Sequence, residues 1–189
     1  LFGLHLAQPT TPAAAQMEGT GDYRLTIATN PTVVEANQPF SLTLDIFEAD
    51  GTTPVAGFDE VHTKLLHLIL VSEDLTEFLH RHPDYEGDGK FVLNDTLLPK
   101  AANYVVFADF TPTGGEQQVI RGTLNTQSAQ SVTPELAVSE AEFAVGSLKV
   151  HLEIPDTLNA GEETLIGFHV TDTESGDPVD DLDEYLGAA

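Results

Sequence analysis

The chain has 189 residues, enough for one large domain or two small ones, and its formal charge is −24, from 7 Lys and Arg against 31 Asp and Glu. A field of this sign attracts cations and repels phosphate backbones, which argues against nucleic acid as a partner. The absence of Cys and the single Met exclude disulfides, thiolate metal sites, Cys nucleophiles and Met-rich Cu(I) sites. Any metal chemistry therefore depends on imidazole and carboxylate groups.

The first segment, residues 1–22, is predicted to be a signal-peptide remnant or a flexible stalk. Residues 1–7 are mostly apolar, and the small residues Ala13, Ala14 and Ala15 follow, as in the cleavage zone of an exported protein. The alternative is an N-terminus with no targeting role. We expect a periplasmic or extracellular protein. No later segment approaches the roughly 20 apolar residues of a membrane span.

Residues 23–126 are dominated by short apolar runs and period-2 alternation, which predict strands. The predicted strands are residues 23–29, 40–47, 65–71, 91–98, 103–110 and 117–124. The continuously apolar run 65–71 predicts a central strand covered on both faces. Six or seven short strands with regular turn signals are typical of a β-sandwich, and Tyr104 occupies the position of a tyrosine corner. The sequence therefore predicts an all-β, immunoglobulin-like β-sandwich.

A linker is predicted over residues 127–147, and an internal repeat follows it. At a shift of 124 positions (178 − 54), Pro54-Val55 lies over Pro178-Val179, and Asp59-Glu60 lies over Asp183-Glu184. The apolar positions of segment 40–46 also recur. Residues 148–189 are therefore predicted to be the start of a second, truncated immunoglobulin-like repeat. Its His151 and His169 are interpreted as solvent-facing strand residues.

Four of the seven histidines lie within 21 positions, in the order His62, His67, His80 and His82. Imidazole binds Zn(II) and Cu(II) without help from sulfur. Because residues i and i+2 of an extended segment point to the same side, the rings of His80 and His82 can share one ion. Pro83 favours the extended backbone that this requires. The pattern predicts a metal site.

Three further residues complete the predicted site. His67 lies within an apolar strand, where its ring needs either a metal or a hydrogen-bond partner. His62 stands just before that strand, and Asp109 is a candidate oxygen ligand or a group that orients a histidine. Taken alone, His67 would be a hydrogen-bonded core residue and Asp109 a carboxylate at a strand end. The candidate metal ligands are thus His67, His80, His82, His62 and Asp109.

A resemblance to a known family rests on two stretches. Residues 62–83 read HTKLLHLILVSEDLTEFLHRHP, and residues 102–112 read ANYVVFADFTP. Over residues 23–126 the chain resembles bacterial exported proteins described as heavy-metal-binding or copper-associated, with the His-x-His-Pro run as the most specific feature. The resemblance implies an immunoglobulin-like module outside the cytoplasm that is associated with copper or a related metal. The near absence of Met departs from copper carriers that hold Cu(I) through methionine.

Catalysis has little support, because no Gly-x-Ser-x-Gly, His-Glu-x-x-His, phosphate-loop or dinucleotide pattern occurs. We therefore expect a non-enzymatic module that binds a copper or zinc ion and sequesters it or passes it to a protein partner. The alternative is a structural or adhesive module of the cell envelope whose histidines only pack or bond with one another. A metalloenzyme is a third hypothesis, and it requires an open ligand position and a general base.

Overall fold

The computed structural model describes residues 17–19, 21–130 and 141–181, so the prediction for residues 1–16 lies outside the described residues. The chain divides into two compact units, Leu1–Pro134 and Glu135–Ala189, with the boundary inside the predicted linker 127–147. In the described part of the chain all regular structure is β-strand, which confirms the all-β prediction. That part contains no helix long and apolar enough to cross a membrane.

Ten strands are described in the first unit, and they form two antiparallel sheets. They are β1 (Met17–Glu18), β2 (Tyr23–Asn30), β3 (Phe40–Glu48), β4 (Phe58–Asp59), β5 (Leu66–Ser72), β6 (Phe78–Arg81), β7 (Asp84–Gly87), β8 (Lys90–Thr96), β9 (Asn103–Pro112) and β10 (Gln118–Asn125). The first sheet has the order β1-β2-β3-β8-β7, and the second has the order β10-β9-β5-β6. The short strand β4 pairs with the end of β9.

The core of the first unit lies between these two sheets, because each contributes one apolar face. On the first sheet, β3 buries every second residue from Phe40 to Ile46. On the second sheet, β5 and β9 do the same, and Leu68 and Val106 are fully inaccessible to solvent. Each large apolar side chain removed from water in this way contributes about 1.5–3 kcal/mol. The result is a β-sandwich.

That this β-sandwich is of the immunoglobulin-like kind is a more specific statement, and it stays a prediction. Two observations support it. The hydroxyl of Tyr104, at the start of β9, donates a hydrogen bond to the carbonyl of Lys100 at 3.0 Å, as a tyrosine corner requires. The strand orders β2-β3-β8-β7 and β10-β9-β5 also correspond to the two sheets of an immunoglobulin constant-type domain.

The prediction that segment 65–71 is covered on both faces was wrong. In β5 only alternate residues, from Leu66 to Ser72, are buried, whereas His67, Ile69 and Val71 are half-buried on the outer face of the second sheet. An apolar run does not distinguish a strand buried on both faces from a strand whose outer face carries a partly exposed apolar stripe. This outer face is the one that bears the histidines.

Two strands occur in segments that the sequence assigned to a stalk and to a linker. β1 lies in the predicted stalk 1–22, and β11 (Glu142–Val145) lies in the predicted linker 127–147. Both are short edge strands, of two and four residues. The physical reason for the error is that their pairing depends on a neighbouring strand and not on their own apolar periodicity.

The second unit, in its described residues, is one three-stranded antiparallel sheet. It has the order β11, β12 (Leu148–Glu153), β13 (Gly167–Asp172). A bridge between Thr171 and Pro178 follows β13, and the same bridge joins Phe47 and Pro54 after β3 at an offset of 124 residues (171 − 47). This shared feature supports the predicted repeat.

Candidate metal centre

His67 lies on the central strand β5, between β9 and β6. Its position follows from strand alternation: the core face takes Leu66 and Leu68, so the ring between them faces outward and is half-buried. The register places His67 opposite Asp109 on β9. Pairing with β9 therefore holds the backbone of His67, and strand alternation directs its ring outward.

The edge strand β6 brings the other two histidines to the same face. β6 pairs with β5 so that His80 faces Ile69 and Arg81 faces Leu68. Continued by one residue, this register sets His82 opposite His67. His82 is followed by the buried Pro83, and the chain then crosses to β7 in the first sheet. The site thus lies at the edge of the second sheet, where the chain leaves it.

The three rings converge on a common centre. The Nδ1 atom of His67 is 3.2 Å from the Nε2 atom of His80 and 3.2 Å from the Nε2 atom of His82. The ring centroids of His80 and His82 are 4.7 Å apart. One potential ligand atom from each of the three residues lies within 4.8 Å of the other two. This convergence is the i, i+2 geometry that the sequence predicts for His80 and His82, joined by His67 from the adjacent strand.

The opposite side of the His67 ring is held by a backbone carbonyl. Nε2 of His67 lies 2.9 Å from the oxygen of Val61. Because a carbonyl oxygen only accepts, Nε2 is the donor, and the lone pair of the neutral ring is on Nδ1, which faces the other two histidines. Metal-binding histidines are commonly oriented by a hydrogen bond of this kind.

That carbonyl is presented by a tight turn through His62 and Thr63. Val61 and Lys64 exchange two backbone hydrogen bonds, at 2.9 Å and 3.1 Å. Both central residues have positive φ, +48° for His62 and +63° for Thr63. This is the pattern of a type I′ turn, which Gly and Asn favour and a β-branched Thr does not. The turn therefore positions the carbonyl of Val61 by means of backbone conformations that are unfavourable for His62 and Thr63.

The surroundings of the His80 and His82 rings favour their neutral form. Burial, with the neighbouring His67 and Arg81, lowers the pKa of His80 below its ordinary 6.5, although Asp109 opposes this. Burial also lowers the pKa of His82, together with His80, His67 and Lys64. At neutral pH the imidazole nitrogens are therefore unprotonated on one side and available as ligands.

The three rings cannot satisfy one another by hydrogen bonds in this arrangement. Nδ1 of His67 offers one lone pair to two Nε2 atoms at equal distance, so at most one of them makes a well-aligned hydrogen bond. A cation at the centre would accept all three lone pairs. At the 2.0–2.1 Å Zn–N distance, tetrahedral coordination sets the nitrogens about 3.3 Å apart. The observed 3.2 Å separations from His67 fit that value.

The other two predicted ligands lie near this centre but outside the converging group. The ring of His62 is 6.1 Å from that of His67, centroid to centroid. The carboxylate of Asp109 accepts two hydrogen bonds from Nε2 of Gln117, at 2.8 Å and 3.0 Å. Asp109 thus acts on His80 through its charge. The sequence did not reveal the contribution of Val61, because a backbone acceptor has no residue-type signal.

Residues 12–128, more than half of the chain, match one protein family, described as a domain of unknown function, DUF8832. The matched range includes both sheets of the first unit and all three converging histidines. No curated protein and no solved structure matches the chain. The chain belongs to the DUF8832 family.

Proposed function

We propose that the first unit is a non-enzymatic metal-binding module that holds one Zn(II) or Cu(II) ion through His67, His80 and His82. The observation that carries this proposal is the 3.2 Å separation of Nδ1 of His67 from both Nε2 atoms. Three imidazoles without sulfur suit both ions, and the tetrahedral spacing suits Zn(II) especially.

The fourth ligand position in this proposal is taken by water, by His62 or by a group of a partner protein. His62 is close enough that rotation of its side chain would bring it toward the ion. An incompletely enclosed ion exchanges more readily than one enclosed by four protein ligands, which suits a module that sequesters an ion and hands it on. The charge of −24 raises the local concentration of cations. We place the module outside the cytoplasm, in the periplasm or at the cell exterior.

The test is titration of the metal-free full chain with Zn(II) and with Cu(II) by calorimetry. We expect His67→Ala, or the pair His80→Ala and His82→Ala, to weaken binding by more than the roughly 10–100-fold that loss of an outer hydrogen-bond partner causes. His62→Ala should have a smaller effect. Elemental analysis of natively purified protein identifies the ion.

Arg81→Ala is the matched control, because Arg81 lies between the two histidines and its side chain is exposed. Its removal should leave affinity unchanged or slightly raised, since a neighbouring positive charge is lost. If the double histidine variant binds as tightly as the natural chain, the proposal is wrong. A structural envelope module, whose histidines only bond with one another, would then be the better account.

A further inference from the structure

A second group of metal-ligating side chains lies on one face of the sheet in the second unit. The register pairs Glu142 of β11 with His151 of β12, and His151 with His169 of β13, so these three residues form a row across all three strands. Glu153, two residues after His151, lies on the same face. Two imidazoles and two carboxylates therefore share one small area of surface.

The contacts in this row already join each histidine to a carboxylate. Nε2 of His169 is 2.9 Å from Oε2 of Glu153, and Nδ1 of His151 is 3.6 Å from Oε1 of Glu142. The rings of His151 and His169 are 6.0 Å apart, centroid to centroid. Nδ1 of His151 is shielded from solvent and has no hydrogen-bond partner. The row thus contains a nitrogen atom with an unused lone pair or proton.

The first unit shows that the sheet does not require these residue types. There the row across β1, β2 and β3 consists of Met17, Thr26 and Asp45, paired in the same way as Glu142, His151 and His169. Ala28 stands two residues after Thr26, where the second unit has Glu153. All four positions in the second unit carry a metal-ligating residue type, and only Asp45 is of that kind in the first. Folding alone does not explain this set.

We propose that Glu142, His151, Glu153 and His169 form a second binding site for a divalent transition-metal ion of the Zn(II) or Cu(II) class. Two imidazoles on one tetrahedral ion have ring centroids about 5 Å apart at the usual Zn–N distance. The observed 6.0 Å requires the rings to close by about 1 Å, which side-chain rotation supplies. Either carboxylate completes the coordination and offsets the charge of the ion.

This site should be weaker than the one in the first unit. All four side chains are substantially exposed, with side-chain accessibilities between 45 % and 70 %. The ligands must also be ordered when the ion binds, whereas His67, His80 and His82 are already clustered. Because ordering side chains costs free energy, we expect affinity at least about tenfold lower than at the first site. The proposal does not depend on the first site being occupied.

The test measures zinc stoichiometry on the full chain. The triple variant His67→Ala, His80→Ala and His82→Ala removes the first cluster, and we expect it to retain one weakly bound zinc ion. Adding His151→Ala and His169→Ala should abolish that remaining binding. Histidine side-chain NMR signals provide a second readout, since zinc should shift those of His151 and His169. Replacing both histidines with Gln instead of Ala guards against a folding defect.

Two carboxylate pairs provide a control matched in charge. Glu142→Gln with Glu153→Gln should weaken the second site, whereas Glu163→Gln with Glu174→Gln removes the same charge elsewhere in the unit and should not. If the natural chain binds one zinc ion and the triple variant binds none, this proposal is overturned while the proposed function stands. If the natural chain binds one ion that is lost only with His151 and His169, the proposed function fails and the second site stands. Binding that survives all five histidine substitutions overturns both.

Discussion

Nε2 of His67 donates a hydrogen bond to the carbonyl oxygen of Val61 at 2.9 Å. This bond determines which nitrogen of the ring carries the proton, and it leaves Nδ1 as the only lone pair that a metal ion can use. We therefore expect His67 to be the Nε2–H tautomer both without metal and with it. Long-range ¹H–¹⁵N NMR correlations distinguish the two tautomers. A metal-free protein with the proton on Nδ1 would contradict this assignment of the ligand atom.

Proton competition should release the ion only in acid. Burial and neighbouring positive charge lower the pKa of His80 and His82 below 6.5, so protons displace the ion less readily than they would from exposed histidines. The midpoint of zinc release in equilibrium dialysis should lie below pH 6.5. Arg81→Ala removes a positive charge that repels both the proton and the ion at His80, so it should move this midpoint little. A midpoint above pH 6.5 would show that the rings are not shielded as described.

The same pKa changes make the metal-free protein less stable in weak acid. His80 and His82 have a lower pKa folded than unfolded, so the unfolded state binds more protons once the pH falls to about 6.5. The free energy of unfolding is therefore unaffected above that pH. It decreases as the pH falls from about 6.5 toward the lower pKa that His80 and His82 have in the folded protein. Urea denaturation with a chelator at pH 7.5 and pH 5.5 measures the loss. The variant His80→Gln with His82→Gln should lose less stability over this interval than the natural chain does.

The sequence predicted the strands whose side chains alternate, because alternation reflects burial of one face. β3 and β9 were predicted almost at their observed bounds. It did not predict β6 and β7 as strands, because these four-residue segments are rich in polar and charged residues. Their pairing depends on β5 and β8, which lie elsewhere in the chain.

The candidate site was predictable in its residue types but not in its geometry. The i, i+2 spacing of His80 and His82 follows from extended backbone alone. That His67 lies opposite His82 depends on the register of β5 and β6, and the turn between them determines that register. The role of Val61 depends on positive φ at His62 and Thr63, which their residue types disfavour. The geometry of the site therefore depends on tertiary contacts, which the local sequence pattern does not reveal.

The turn that determines the register of β5 and β6 is held by Ser72. This fully buried hydroxyl donates to Asp74 at 2.7 Å and accepts from the backbone amide of Glu77 at 3.0 Å. Asp74 is also paired with Lys100, and the pKa of its carboxyl lies well below the usual range, chiefly because of that contact. Ser72→Ala leaves the amide of Glu77 without this partner, so we expect unfolding to become easier by about 1–2 kcal/mol.

Chemical denaturation of the metal-free protein measures this change. Thr76→Ala is the comparison, because Thr76 donates to the same carboxylate, at 2.9 Å, from an exposed position. Thr76→Ala should lower the free energy of unfolding by less than Ser72→Ala does. Equal costs for the two variants would mean that burial of the hydroxyl contributes nothing to the turn.

Thr63→Gly should stabilise the protein without weakening metal binding. At φ of +63°, the β-branched Thr63 adopts a conformation that costs an L-residue about 1–2 kcal/mol and costs Gly nothing. The larger loss of conformational entropy that Gly undergoes on folding costs about 0.5–1 kcal/mol, so the free energy of unfolding should rise by about 0.5 kcal/mol. The matched control is Thr52→Gly, in an exposed turn where φ is not positive, which should destabilise instead. If both variants lose the same stability in urea denaturation, the turn that presents Val61 to His67 is not strained.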